Sequence, residues 1–363
     1  MDGYRLIEDA AALADLRGGL DPSLRWALDT EFVRERTYLP RLCLVQLAVS
    51  GQILLLDPLR IGDTMALAGL LADARRPYLV HAARQDVEAL LPLTGSPLAP
   101  LFDTQVAASL LGFPSQIGYG DLVRQVLGVE LAKGHARTDW AARPLAAGQL
   151  AYAADDVRYL GAVAETLGAR LEDAGRLGWC ESDCAALSDA GLYRIDPADA
   201  WKRIKGLERM APAERTVACA LAAWREERAS RRNLPRGWVL SDEALRELAR
   251  VRPGSTDALG RIGSLPGRAA AKLAGELLPL IADATRSGED VPLPAVDRLT
   301  PAQQATVRRL QEVLRDVSGQ LDISPEVLAT RRDLTAMVRG ASDEPPLTGW
   351  RRDVIGSRLL TAI

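Results

Sequence analysis

The chain has 363 residues, of which 48% are apolar and 26% charged, proportions close to those of folded globular proteins; disordered, collagen-like and coiled-coil classes are excluded, and the length suits two or three domains. The longest uncharged run, Thr104 to Gly120, spans 17 residues and is interrupted by Gly112, Pro114 and Gly118, so no membrane segment is expected. The net charge of -3 divides into -9 over residues 1–200 and +6 over residues 201–363, so an acidic and a basic surface are expected on different halves.

Met1-Asp2-Gly3 opens no basic-then-apolar leader. Four cysteines are too few for a disulfide scaffold, and Cys180-x3-Cys184 lacks zinc-site spacing, so a reducing cytoplasm is the expected setting. Trp26 to Phe32 alternates as a strand does. Leu42 to Val49 is an apolar β-rich run, and Ser50-Gly51 separates it from Ile53 to Leu56, which predicts a hairpin. Pro77 to His81 reads as a further short strand, followed by a helix through Asp86, Val87, Leu90 and Leu91. Helices are predicted over Thr104–Leu111, with Asp103 as N-cap, over Tyr119–Leu127 and over Pro144–Leu167. A meander followed by alternating strands and helices implies an α/β domain with a mixed sheet.

No strand is expected after about residue 200. Pro212–Arg232, Asp242–Val251 and Arg268–Ala284 read as helices, and Ser287–Pro294 as a linker to a further helical block. Arg209-Met-Ala-Pro-Ala213 echoes Arg298-Leu-Thr-Pro-Ala302, and Leu240 to Leu245 echoes Ile323 to Leu328, at offsets of 89 and 83 residues; a duplicated helical domain is expected.

The chemistry-bearing residues are acids. Asp29 and Glu31 stand two apart on the first strong strand, so both carboxylates face the same side of the sheet and repel unless a cation lies between them. Asp86 follows in the first turns of a helix. Tyr152 and Asp156 share one helix face, with Asp155 on nearly the same face; the spacing leaves the choice between the two aspartates open. Four carboxylates and a tyrosine together suit two-metal phosphoryl transfer, in which two cations about 4 Å apart activate water and stabilise the departing 3′ oxygen. With only His81 and His135 present, sites needing several imidazoles are excluded, and His81 reads as a hydrogen-bonded strand-end residue.

Asp29-Thr-Glu31-Phe, Asp86, Arg137-Thr-Asp-Trp-Ala-Ala-Arg-Pro-Leu145 and Tyr152-x3-Asp156, in this order, resemble the ribonuclease D family of DEDD-type 3′-to-5′ exonucleases, tyrosine subclass. The resemblance implies an RNase H-like α/β catalytic domain with a mixed sheet over residues 1–170 and a helical connector over 171–209. An HRDC domain over 210–289 and a second, divergent HRDC-like domain over 297–363 complete the chain. It implies two divalent cations, Mg²⁺ or Mn²⁺, with Asp29 bridging both, Glu31 and Asp156 on the ion nearer the nucleophile, Asp86 on the other, and Tyr152 orienting the water; its spacing selects Asp156 over Asp155. The expected partner is RNA, namely transfer RNA precursors and structured RNAs with 3′ extensions, with no membrane and no obligate protein partner.

Lys133, Arg137 and Trp140 are expected either to contact the RNA backbone or stack on a base, or to belong to an ordered loop packed beside the cleft. Arg225, Arg228, Arg231 and Arg232, with Arg236 beyond them, form a basic cluster expected to meet phosphates, while Trp224 is expected in the core. The alternatives are a single-stranded DNA exonuclease and a non-catalytic RNA-binding protein of the same fold.

Overall fold

Six strands build one mixed sheet in the computed structural model, which describes residues 3–72, 75, 77–132, 134, 138–288 and 299–363. They are β1 (Arg5–Ile7), β2 (Ala27–Val33), β3 (Arg41–Val49), β4 (Gln52–Leu56), β5 (Tyr78–Val80) and β6 (Leu101–Asp103), in the order β1-β4-β3-β2-β5-β6. β2, β3 and β4 form the expected antiparallel meander, whose tight turn places Ser50 and Gly51 at φ 54° and 76°, both in the left-handed region. β1, β5 and β6 add in parallel, on β4, β2 and β5 respectively. β1 and β6 are additions to the strands expected from the sequence. At three residues each they are too short to show alternation, and they exist because a longer neighbour pairs with them, as Leu6 does with Leu55.

Helices close over the sheet. Tyr119–Leu127, Pro212–Arg232 and Asp242–Val251 form with the expected boundaries, and Asp103 does cap its helix, accepting from Gln105 N at 2.8 Å. The expected single helix from Pro144 to Leu167 is instead two, Ala147–Arg158 and Leu160–Asp173. After residue 200 every regular element among the described residues is helical, and none of the described helices is long and apolar enough to cross a membrane.

The two helical blocks share an order of elements. Each has a 21-residue helix (Pro212–Arg232, Pro301–Leu321), a left-handed cap (Asn233, Asp322) and a four-residue helix (Arg236–Val239, Pro325–Leu328), the second copy of each lying 89 residues after the first. The echo at an offset of 83 is corrected by this: Ser241 caps the Asp242–Val251 helix, whereas Ser324 precedes the four-residue helix, so that match joins unlike elements.

By contacts the chain forms two compact units, residues 1–33 with 41–190 and 299–363, and residues 34–40 with 191–298. The expected boundaries describe modules of sequence, whereas compactness follows the apolar cores. Leu310, Leu314 and Val317 of the C-terminal helix belong to the same buried cluster as Leu160, Val163 and Leu167. Trp350 stacks on Trp179 at 4.3 Å, and Arg351 grips Asp183 with two bonds of 2.7 and 2.8 Å. Gly112 marks how close the chains run, because a Cβ there would sit 2.5 Å from the carbonyl oxygen of Asp322. The second unit has its own core around Val217, Leu221, Leu245, Leu248 and Leu277.

One buried ion pair ties the frame of the first unit. Asp57, 1% exposed, receives Arg143 Nε at 2.5 Å and Nη2 at 2.9 Å, while the same guanidinium reaches the carbonyls of Cys43 and Trp140, each at 2.7 Å. Breaking such a pair leaves an uncompensated buried carboxylate, so Arg143→Met is expected to remove about 3–5 kcal/mol of stability in urea unfolding. Arg143→Lys, without the planar fork, should restore only a minor part of it.

Candidate active site

β2 lies between β3 and β5, paired with β3 along its length and with β5 at Ala27. The register with β3 slips between Glu31 and Phe32, leaving Cys43 of β3 as the extra residue of a bulge beside the second acid. Asp29, Glu31 and Asp156 each present a carboxylate oxygen, and these three atoms all lie within 4.8 Å of one another. Among the described residues they form the one such group of metal-capable side chains. Asp155 is settled by a different partner: its carboxylate takes Arg158 Nε at 2.7 Å.

Asp86 stands beside this trio, buried in the first turn of the Arg84–Thr94 helix, and is oriented by Thr30 Oγ1, which donates to it at 2.6 Å. The turn that delivers it is held by Asp103. That carboxylate, 2% exposed, caps its own helix and also accepts from Ala82 N at 3.0 Å and Ala83 N at 2.8 Å, where Ala82 adopts φ 57°. Capping was expected of Asp103 from sequence; this second grip, reaching back across the sheet, was not. His81 is satisfied at both nitrogens, by Thr104 Oγ1 and the Ile117 carbonyl at 3.0 Å each, as expected for a strand-end histidine.

Asp29, Glu31 and Asp156 line a cleft of about 190 Å³ together with Leu28, His81, Tyr119, Tyr152 and Leu160, whereas Asp86 is buried behind that lining. It adjoins a second cleft of about 320 Å³ that shares Tyr119, Tyr152 and Asp156 and continues over Gly118, Gly120, Glu130, Leu131 and Gly134. Tyr119 was not singled out from the sequence; a tyrosine opening an amphipathic helix carries no local signal of a site.

The charges in this cleft oppose one another. Burial, then Asp156, pushes the Asp29 carboxyl well above its ordinary range. Burial, then Asp29, Asp156 and Asp86, pushes Glu31 up to about 10. Asp86 rises through burial and Asp29 against the help of Thr30, and Asp156 rises to about 7 through burial, Asp155 and Asp86. Four carboxylates that resist ionisation this strongly lack positive charge, and their all-oxygen donor set suits hard divalent cations. Burial, then Asp156, also raises the Tyr152 phenol above its ordinary value, so its hydroxyl stays protonated at neutral pH.

The residues expected at RNA divide. Lys133 and Arg137 lie outside the described residues. Trp140 is 2% exposed and belongs to the core, its ring 6.3 Å from that of Tyr152, so it supports the tyrosine and offers no face to a base; that expectation is corrected. Arg225 and Arg228 are corrected as well. Arg225, 5% exposed, donates to Asp242 at 2.7 Å and to the Leu240 carbonyl at 2.9 Å, and Arg228, 8% exposed, pairs with Glu276. Arg236 is likewise engaged, by Glu226 at 2.5 and 2.6 Å. Arg231 and Arg232 are exposed, Arg231 with Glu227 no nearer than 4.0 Å. Trp224 packs against the second core as expected, its Nε1 donating to Glu276 at 3.0 Å.

Comparison with known proteins places these features in company. Residues 4–172 match the 3′-5′ exonuclease family and residues 214–281 the HRDC domain. Ribonuclease D of Gluconacetobacter diazotrophicus is 42% identical over 92% of this chain and 86% of its own, and that of Acidiphilium cryptum 38% identical over 98% and 92%. Among solved structures, Escherichia coli RNase D, described as an exoribonuclease involved in structured RNA processing, superposes with a TM-score of 0.86 at 32% identity, covering 99% of this chain and 98% of its own.

The acids make a testable link to stability. Their folded-state pKa values lie above the unfolded ones, so the cation-free fold binds more protons than the unfolded chain and loses stability as pH rises from the ordinary carboxylate range towards the value of about 7 at Asp156 and about 10 at Glu31. Glu31→Gln should therefore raise the Tm of chelator-treated protein at about pH 8 and leave it unchanged at about pH 4. Mg²⁺ should raise the wild-type Tm at the higher pH and do so less as protons compete. For the arginines, Arg231→Ala with Arg232→Ala should reduce the slope of log affinity against log salt by about 1.4 on single-stranded RNA, at unchanged Tm. Arg228→Ala should instead lower Tm.

Proposed function

The chain belongs to the ribonuclease D family, and on that premise we propose that Asp29, Glu31, Asp86, Tyr152 and Asp156 form a two-metal site that trims the 3′ ends of transfer RNA precursors and other structured RNAs with 3′ extensions. The protein is a 3′-to-5′ exoribonuclease, RNA is its substrate, and its acidic cluster suits divalent cations. The observation that carries the residue assignment is the meeting of three carboxylates from β2 and the Ala147–Arg158 helix in a cleft that also holds Tyr152.

In this reading Asp29, Glu31 and Asp156 hold one Mg²⁺ or Mn²⁺, and Asp29 with Asp86 holds the second. When bound, the two cations supply the positive charge that favours attack by water and departure of the 3′ oxygen. The remaining work falls to the chain itself. Tyr152 orients the attacking water by hydrogen bonding. Asp86 is held in place by Thr30 Oγ1, which donates to one of its oxygens. The terminal nucleotide occupies the larger cleft over Tyr119 and Leu131, with its phosphodiester at the acids. The product is a nucleoside 5′-monophosphate. We place the activity in the cytoplasm, with no obligate protein partner; that all four cysteines are free thiols supports a reducing compartment.

An assay on a 3′-extended transfer RNA tests the reading. Asp29→Asn should lower kcat by at least about 10³-fold and Tyr152→Phe by about 10²-fold, and a chelator should abolish trimming of all variants. Metal-independent trimming, or full activity in Asp29→Asn, would overturn it.

A further inference from the structure

The expected Pro144–Leu167 helix breaks at Tyr159, where φ is −104° and ψ −3°. No proline stands at the break, and the nearest glycine, Gly161, is already inside the following helix, so the interruption of the 155–159 bond needs a further cause. A side chain supplies it. The Tyr119 hydroxyl accepts from Tyr159 N–H at 3.2 Å and donates to the Asp155 carbonyl at 3.3 Å. Residues 155 and 159 are the pair that an uninterrupted α-helix joins directly, and insertion of a polar group into that ladder is a known origin of sharp helix breaks. Burial holds the Tyr119 phenol well above its ordinary pKa, so it keeps the proton it donates. Its ring is fixed 5.7 Å from that of His81, and it lines both clefts. Asp156 lies between the two bridged residues, and Tyr152 lies one turn before them.

We propose that Tyr119 is a positioning residue: by separating the Asp155 carbonyl from the Tyr159 N–H, its hydroxyl sets the last turn of the Ala147–Arg158 helix and so aims the Asp156 carboxylate at Asp29 and Glu31. This rests on the reading of Asp156 as a metal ligand. Without the hydroxyl the backbone pair closes, the helix runs on towards Leu160–Asp173, and Asp156 turns relative to β2. The fold itself loses little, because the ring still packs and the helix regains a direct hydrogen bond.

Tyr119→Phe in the full chain tests this, with Asp156→Asn as reference. Three quantities are read: thermal unfolding, Mn²⁺ binding in the absence of RNA by the paramagnetic signal of the free ion, and kcat and KM on a short single-stranded RNA. The expected result is a Tm within about 2 °C of wild type. Mn²⁺ affinity should weaken about tenfold, within the range found when a group that orients a ligand is removed, and kcat should fall by a similar factor at unchanged KM. Unchanged Mn²⁺ affinity and kcat in Tyr119→Phe, while Asp156→Asn loses both, overturns the inference and leaves the site reading intact. A lowered Tm with normal Mn²⁺ binding also overturns it, since the hydroxyl is then only structural. Wild-type Mn²⁺ affinity in Asp156→Asn overturns the site reading and this inference with it.

Discussion

Burial of four carboxyl groups close to one another is the constraint on which the first unit is built. Asp29, Glu31, Asp86 and Asp156 all hold their protons more tightly than free carboxyls do, and burial is the leading cause for each. Such a cluster would relax apart on a compliant frame. Here it is held on the central strand of a six-stranded sheet, with Thr30 fixing Asp86 and with Asp103 fixing the turn that presents it. Strain of this kind is characteristic of sites whose energy is recovered only when a ligand arrives, and a divalent cation is the ligand that this donor set fits.

The frame explains residues that motif reading assigns to chemistry by association. Trp140 and Arg143 fall within the stretch that resembles the exonuclease family, yet neither reaches the cleft as a reactive group. Trp140 is buried beside Tyr152, and Arg143 neutralises Asp57 while gathering three backbone carbonyls. A planar guanidinium with five donors suits that gathering role, which a lysine could not fill. Local sequence patterns in such a family therefore combine catalytic side chains with those that hold them in place.

The second unit shows the same economy with the opposite charge. Its basic excess suggests a surface made for phosphate, but Arg225, Arg228 and Arg236 are committed to Asp242, Glu276 and Glu226. Arg236 also lies over the Tyr38 ring at 4.4 Å, and the Tyr38 hydroxyl donates to Glu226, so residues 34–40 are tied into this unit by one cation, one anion and one phenol. Counting charges overstates what a nucleic acid meets. Exposure decides it, and Arg231 and Arg232 are the members of that cluster left outward.

Sequence by itself determined the class of fold, because period-two and period-3.6 patterns are local: the β2–β3–β4 meander and the Pro212–Arg232 and Asp242–Val251 helices are legible in their own residues. It also determined the acids in order along the chain, since Asp29 and Glu31 share a strand face and Tyr152 and Asp156 a helix face by geometry alone. Tertiary structure decided what depends on neighbours remote in sequence. It gave Asp156 to the cluster, made strands of Arg5–Ile7 and Leu101–Asp103, buried Trp140, Arg225 and Arg228, and joined the C-terminal helices to the first core. The reason is common to all of these. A side chain's charge, exposure and partner are set by what packs against it, and Tyr119 splitting a helix 36 and 40 residues away is a contact that no local pattern encodes.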